Sequence, residues 1–373
     1  ALLAHRVTQA VFCGRSVPDI VATRLKEHGL EADGVLGLVR EYPARPFVLQ
    51  YAESDLAFVQ RLCEHVGITL AFDPDGDSDA VRLVDDTKHF AALPNRLRFS
   101  PGGERRGVYA LSLRSRLVPG RTVVRDYNPD THSVPVEGQM DSCFRGPGGV
   151  TEQGGNAATP REARALATLH GEARDAEHTR YHGEATLPEL AAGLCVVLDE
   201  HPRVPATPLL VVRCSHTMDI DGTGARTVRV AFEAVHAQGP WRPPRVTARP
   251  VMPGVVTAHI VGPLGEVTGD TAQLDDQGRY FVRLQMDTRH HGAQPPSLRV
   301  RMIQNHVGTE YGTHLPLKPG VEVMVAFLDG DPDRPVIVGA VHDGARTAVV
   351  DASNPKVHRI RTATGVTLTM KDR

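Results

Sequence analysis

The chain has 373 residues, a formal net charge of −2, 5% aromatic residues and a single Trp. That length allows two or three domains with separate cores, while the near-neutral charge excludes a bulk electrostatic pull toward nucleic acid or anionic lipid and the scarcity of aromatics excludes base-stacking platforms. The 35 Gly and 28 Pro suit many short strands joined by turns better than a helical enzyme.

The opening ALLAHRVTQAVF is strand-like, lacks Met and lacks the tripartite form of a secretory signal. A fragment or processed chain is therefore expected. SVPDIVATRLKEHGL predicts a helix: Ser16 caps it, Pro18 sits in its first turn, Asp19 completes a Ser-x-x-Asp box and Gly29 ends it. In ESDLAFVQRLCEHVGITLAF, Ser54 caps a second helix with Leu56, Val59, Cys63 and Val66 on one side. Gly67 stops it, and Ile68 to Phe72 reads as a strand. GVYALSLRSRLV alternates with a period of two and predicts a strand, whereas GPGGVTEQGG reads as a flexible surface loop. A third helix follows in TPREARALATLHGEARDAEH, with Thr159 as cap, Pro160 at its first position and Glu162 closing the box. CVVLDEH, PLLVVRCSH and RTVRVAFEAVH are strand-like, and their turn spacing suggests barrels or sandwiches rather than βαβ units. The Pro-rich QGPWRPPRVTARPVMPG, with Arg242, Pro243, Pro244 and Pro250, predicts a linker at a domain boundary. Beyond it, VVTAHIV, RYFVRLQM, LRVRM, VEVMVAFL and VIVGAV are five short strands, which fit a small closed barrel.

Candidate chemistry is thin. The five cysteines (Cys13, Cys63, Cys143, Cys195 and Cys214) include no CxxC pair and read as small hydrophobes. His178 and His182 have helical ligand spacing, with His170 two turns earlier, but no HExxH is present; they read as exposed histidines on a helix face. His290-His291 lies in a loop by composition, and there is no GxSxG or GK[ST] motif. The pairs Asp85-Asp86 and Asp275-Asp276 stand beside turn residues. In FLDGDPDRPVIVGAVHDG, Asp329, Asp331 and Asp333 alternate as calcium ligands do. However, Arg334 stands where an EF-hand loop needs Gly, and Ala340 where it needs Glu. Flanked by two strand patterns, the stretch Gly330, Asp331, Pro332, Asp333, Arg334, Pro335 reads as a structural hairpin. No catalytic, cofactor-binding or metal-binding residue is assigned.

The segment LKPGVEVMVAFLDGDPDRPVIVGAVHD resembles the barrel signature of VgrG proteins, the spike of the type VI secretion system. Pro319-Gly320, Glu322-Val323, Phe327-Leu328 and Gly330 through Pro335 match that signature in order. FVLQYAESDLAFVQRLCEHVGITLAFD, EHPRVPATPLLVVRCSHT, WRPPRVTARPVMPG, DDQGRYFVRLQMD and RIRTATGVTLTMKDR resemble further stretches of the same family, so the likeness covers almost the whole chain. Met286, Leu298 and His306 stand where the family has Trp, and His342-Asp343 where it has Tyr-Asn.

The resemblance implies a mainly β fold with a few helices, an α+β hub. Residues 1–100 would be part of a phage-hub-like domain whose first strands lie outside the chain. Residues 101–245 would be a second hub barrel with a helical insert, 246–345 an OB-fold barrel, and 346–373 the start of a β-helical, prism-like stem. It also implies a non-enzymatic homotrimer that punctures target envelopes and carries effectors. The implied partners are a hexameric Hcp-like tube protein at the hub base, a PAAR-like tip protein at the stem end, baseplate proteins and secreted effectors, with no nucleic acid and no cofactor. Assembly would occur in the bacterial cytoplasm, with export by the contractile apparatus and no signal peptide. A phage-tail or other injection-system spike, or a spike whose enzymatic effector domain lies outside this chain, is the alternative.

Overall fold

The computed structural model describes residues 2–30, 38–72, 81–101, 106–204, 206–220, 222–224, 226–288 and 298–372. It is mainly β, with four α-helices among the described residues. The chain forms two compact units that do not follow chain order. One comprises Ala1–Val7, Gly14–Arg45 and Glu53–Arg249; the other comprises Thr8–Cys13, Pro46–Ala52 and Pro250–Arg373.

In the first unit, local signals set the helices. Ser16 and Asp19 form a reciprocal capping box at Val17–Glu27. That helix ends with Gly29 at φ 70°, its N–H on Lys26 O and the next N–H on Leu25 O, a left-handed stop that favours glycine. Ser54 accepts from Ala57 N at the start of Asp55–Val66, and Gly67 closes that helix at φ 70°. In Pro160–Asp175, Thr159 accepts from Glu162 N. The Glu162 carboxylate takes the N–H of Ala158 and the hydroxyl of Thr159, so it caps one residue earlier than the box pattern anticipates.

A seven-stranded sheet carries the order Ala91–Ala92, Leu194–Asp199, Pro208–Ile220, Arg226–His236, Thr179–Ala185, Val108–Ser115, with Leu97–Arg98 also paired to Leu194–Asp199. Its inner face buries Val108, Tyr181, Ala185, Val196, Leu209, Val211, Val230 and Phe232 in one core. A smaller sheet places Gly149–Gln153 parallel to Arg121–Asp126, which pairs antiparallel with Val136–Asp141. The stretch expected to be a flexible loop is thus partly a strand: its pairing partner is distant in sequence and its glycines mask the pattern. Helix Pro160–Asp175 lies on this sheet through Ala163, Leu166 and Ala167. The approach is close: a Cβ on Gly138 would stand 2.1 Å from Arg164 N.

The second unit is built on a five-stranded sheet, in the order Leu298–Val300, Tyr280–Leu284, Val255–Val261, Glu322–Phe327, Pro335–Ala340. A parallel bridge between Met302 and Ile337 joins its two ends. Ile303 N bonds Ile337 O and Ile337 N bonds Arg301 O, each at 2.9 Å. The core is Ala258, Ile260, Tyr280, Val282, Leu284, Val323, Val325, Phe327 and Ile337. Val11, Phe47 and Leu49 join it from the paired strands Val7–Arg15 and Arg45–Ser54. Each fully buried side chain of this kind contributes about 1.5–3 kcal/mol. The last strands, Val357–Arg361 and Thr367–Lys371, form a hairpin by themselves, with Ile360, Leu368 and Met370 exposed.

Candidate functional site

The hairpin at 328–335 is built from its own backbone chemistry. Phe327 pairs with Pro335 at its base, and Leu328 N donates to Arg334 O at 2.9 Å. Asp329 and Gly330 both take left-handed φ, 55° and 71°. A Cβ on Gly330 would lie 2.6 Å from Val251 Cγ1, so conformation and space both call for glycine there. Asp331, buried, accepts the N–H of Asp333 at 2.9 Å through Oδ1, an Asx turn. Pro332 is buried beside it, and Arg334 N bonds Asp331 O at 3.0 Å. Asp333 points elsewhere: its Oδ1 accepts from Leu49 N at 2.8 Å, tying the hairpin to the strand Arg45–Ser54. Gly330 O in turn accepts from Met252 N at 2.9 Å, just past Pro250. Asp331 therefore accepts within the turn itself and Asp333 from the strand Arg45–Ser54, rather than the two forming a convergent set. Among the described residues no three His, Cys, Asp or Glu gather into a metal-holding group.

The Pro-rich stretch is clamped by carboxylates. Arg242 Nε meets Glu172 Oε2 at 2.8 Å, and its Nη1 donates to Asp85 O. Glu64 Oε2 accepts from the N–H groups of Val246 (3.0 Å) and Thr247 (2.9 Å), and its Oε1 accepts from the Thr247 hydroxyl at 2.7 Å. Arg245 meets Glu152, which also holds Arg174 and lies 2.9 Å from His170 Nδ1. Pro243 and Pro244 are half-buried. Composition alone read this stretch as a linker at a domain boundary and showed none of these contacts. Glu64, Glu152 and Glu172 are the residues that reading missed, and the concentration of Arg around the prolines was the only available signal.

Electrostatics follow from this network. Burial raises the Glu152 carboxyl, but the hydrogen bond and charge of His170, the hydrogen bond of Arg174 and the charge of Arg245 outweigh it, holding the group well below the usual carboxylate range. Burial likewise raises Asp85, yet the N–H groups of Val39 and Arg40, the Tyr42 hydroxyl and the Arg40 charge bring it below its ordinary value. Asp86 caps the short turn at 87–89, and Asp275 accepts from Gln277 N and Arg279 N. Burial, with Arg45, His170, Arg245 and Arg249 nearby, pushes the His65 imidazole well down.

The histidines differ from expectation. His170 is buried on its helix, not exposed, and its Nε2 donates to His65 O at 3.0 Å. The helix stops at Asp175, so His178 and His182 do not share a helix face. His178 instead stacks on Phe144, with ring centroids 3.8 Å apart. His290-His291 lies outside the described residues.

Residues 1–222 match the family model described as phage tail baseplate hub (GPD), and residues 268–341 match a domain of unknown function, DUF6484. The chain is 29% identical over 370 residues to the type VI secretion system spike protein VgrG4b of Pseudomonas aeruginosa, covering 92% of this chain and 45% of that protein. It is 27% identical over 369 residues to the actin cross-linking toxin VgrG1 of Vibrio cholerae, covering 92% of this chain and 32% of that one. The chain thus spans less than half the length of these curated relatives. Its fold resembles that of the E. coli c3393 protein, a component of the type VI secretion system with structural similarity to the T4 tail proteins gp27 and gp5. The TM-score is 0.61 at 23% identity, covering 91% of this chain and 75% of that one.

Proposed function

The chain belongs to the phage tail baseplate hub (GPD) family, and on that basis we propose that it is the hub and barrel of a trimeric, envelope-puncturing spike in a type VI secretion apparatus or a related contractile injection system. The observation that carries this reading is the order of parts. A hub-family match is followed in the chain by a closed five-stranded barrel and then by an exposed hairpin. The barrel's order, with strand one between strands two and four and a parallel bridge from the segment after strand three to strand five, supports its reading as an OB-fold barrel. Ile360, Leu368 and Met370 are exposed on the terminal hairpin. That is the pattern of a stem whose core is completed by further copies, and threefold closure is one symmetric solution.

On this reading the hub sits on a hexameric Hcp-like tube and contacts baseplate proteins. The stem leads to a PAAR-like tip, and effectors travel with the spike. The protein is assembled in the bacterial cytoplasm and is exported by the contractile apparatus. A structural role for this part of the chain is supported by Asp333, Glu64 and Glu172, whose carboxylates are engaged with backbone N–H groups and an arginine. A catalytic extension is the second reading, favoured by the relative named as an actin cross-linking toxin, about two thirds of which lies outside the match.

The test is deletion in the producing bacterium, in a background lacking its other spike genes. Release of the tube protein into the medium stops, and returns with the wild-type gene. Undiminished release would overturn the proposal.

A further inference from the structure

The outer face of the seven-stranded sheet carries a charged groove that the spike reading does not use. A cavity of about 670 Å³ is lined by Arg114, Arg116, Arg180 and Arg213, opposed by Glu177 and Glu233. An adjoining cavity of about 680 Å³ shares Arg114, Arg213 and Glu233, adds Glu184, and continues over the small residues Ala110, Ser112, Ser215 and Ala231. The groove thus crosses the strands Pro208–Ile220, Arg226–His236, Thr179–Ala185 and Val108–Ser115. Each cavity singly falls within the size range of ligand sites.

The charge arrangement is costly as it stands. Arg180 and Arg114 are directly opposite each other across paired strands, and like charges so placed destabilise a sheet. Glu177 meets Arg116 and Arg180. Glu233, paired in register with His182 and Arg213, reaches Arg213 at 3.5 Å. Arg114 makes no ion pair among the described residues, and the Nη1 of Arg180 is buried without a hydrogen-bond acceptor among them. Across the two cavities four guanidinium groups face three carboxylates, Glu177, Glu184 and Glu233, so positive charge locally exceeds negative in a chain whose net charge is −2. Trp241 is covered by the Arg180 guanidinium 5.1 Å from its ring centroid, and Phe232, at the floor of the second cavity, is buried in the sheet's core, so neither ring offers an open stacking surface for a base.

We propose that this groove docks an acidic peptide segment. Its carboxylates would pair with Arg114, Arg180 and Arg213, while its backbone lies over the small residues of the floor. Guanidinium forks match carboxylates bidentately, and one carboxylate between Arg114 and Arg180 relieves their repulsion. The elongated shape, crossing four strands, favours an extended segment over a single small acid. The inference goes beyond the spike reading and stands independently of it.

The full chain is titrated with fluorescently labelled hexaglutamate, with hexaglutamine as control and free glutarate as competitor. Saturable hexaglutamate binding at low ionic strength is expected, weakening with added salt, with no hexaglutamine binding and no effective competition by glutarate. Arg114→Glu weakens binding by about tenfold or more, the loss expected for one charged hydrogen-bonded contact. Arg121→Glu, on the smaller sheet and paired with Asp141, leaves binding unchanged. Unaltered melting of both variants shows that they fold. Absence of saturable binding overturns the proposal, as do wild-type affinity in Arg114→Glu, an equal loss in Arg121→Glu, or glutarate competing as well as the peptide.

Discussion

Asp333 accepts the N–H of Leu49 at 2.8 Å, and Leu49 is fully buried. Replacing Asp333 with Ala takes that acceptor from the N–H of a fully buried residue, and the expected loss is about 1–3 kcal/mol of stability. Gly330→Val acts by another route. It forces a β-branched residue to φ 71° and brings its Cβ toward Val251. The backbone strain alone costs about 1–3 kcal/mol. Chemical denaturation of the two variants checks both, and wild-type stability in either contradicts the hairpin's structural role.

Glu152 and His65 set a pH dependence of the same sign. Both have folded pKa values below their unfolded ones, so the unfolded chain binds protons more readily. The stabilisation is complete above the unfolded values and is lost as pH falls. The share of His65 declines below about pH 6.5 and that of Glu152 below about pH 4.3. Denaturation midpoints should fall from neutral toward acid pH, more steeply at the lower end, and Glu152→Gln should flatten that lower limb. A midpoint flat from about pH 7 to 4 contradicts this.

At the scale of elements, the three longer helices were legible because their signals are local: Ser16, Ser54 and Thr159 each cap within three residues. The long strands were legible from alternation, as in Glu322–Phe327, where Val323, Val325 and Phe327 face inward. The strand Gly149–Gln153 was not, because its parallel partner lies at 121–126 and its own residues carry little β-branched pattern. The clamps on the Pro-rich stretch were equally hidden: Glu152 and Glu64 lie 93 and 182 residues before the groups they hold. A consequence can be measured. In limited proteolysis the stretch 242–247 resists early cleavage, contrary to what its composition suggests, and Glu64→Ala exposes it. Early cuts there in the wild-type chain would count against the clamps.

At the scale of the whole chain, the second unit draws Val11, Phe47 and Leu49 into a core made mostly after residue 250. Nothing in the N-terminal sequence signals this, because a strand's burial pattern does not name the sheet it will meet. The resemblance carried by GDPDRP and its neighbours located the family, and the hub-family match over residues 1–222 shows it. Neither supplies the copy number, for which the exposed Ile360, Leu368 and Met370 of the last hairpin are the physical pointer. The most direct measurement is mass photometry of the purified full-length protein with its complete stem. The spike reading predicts a single species at three times the protomer mass, persisting on dilution. A monodisperse monomer would contradict it.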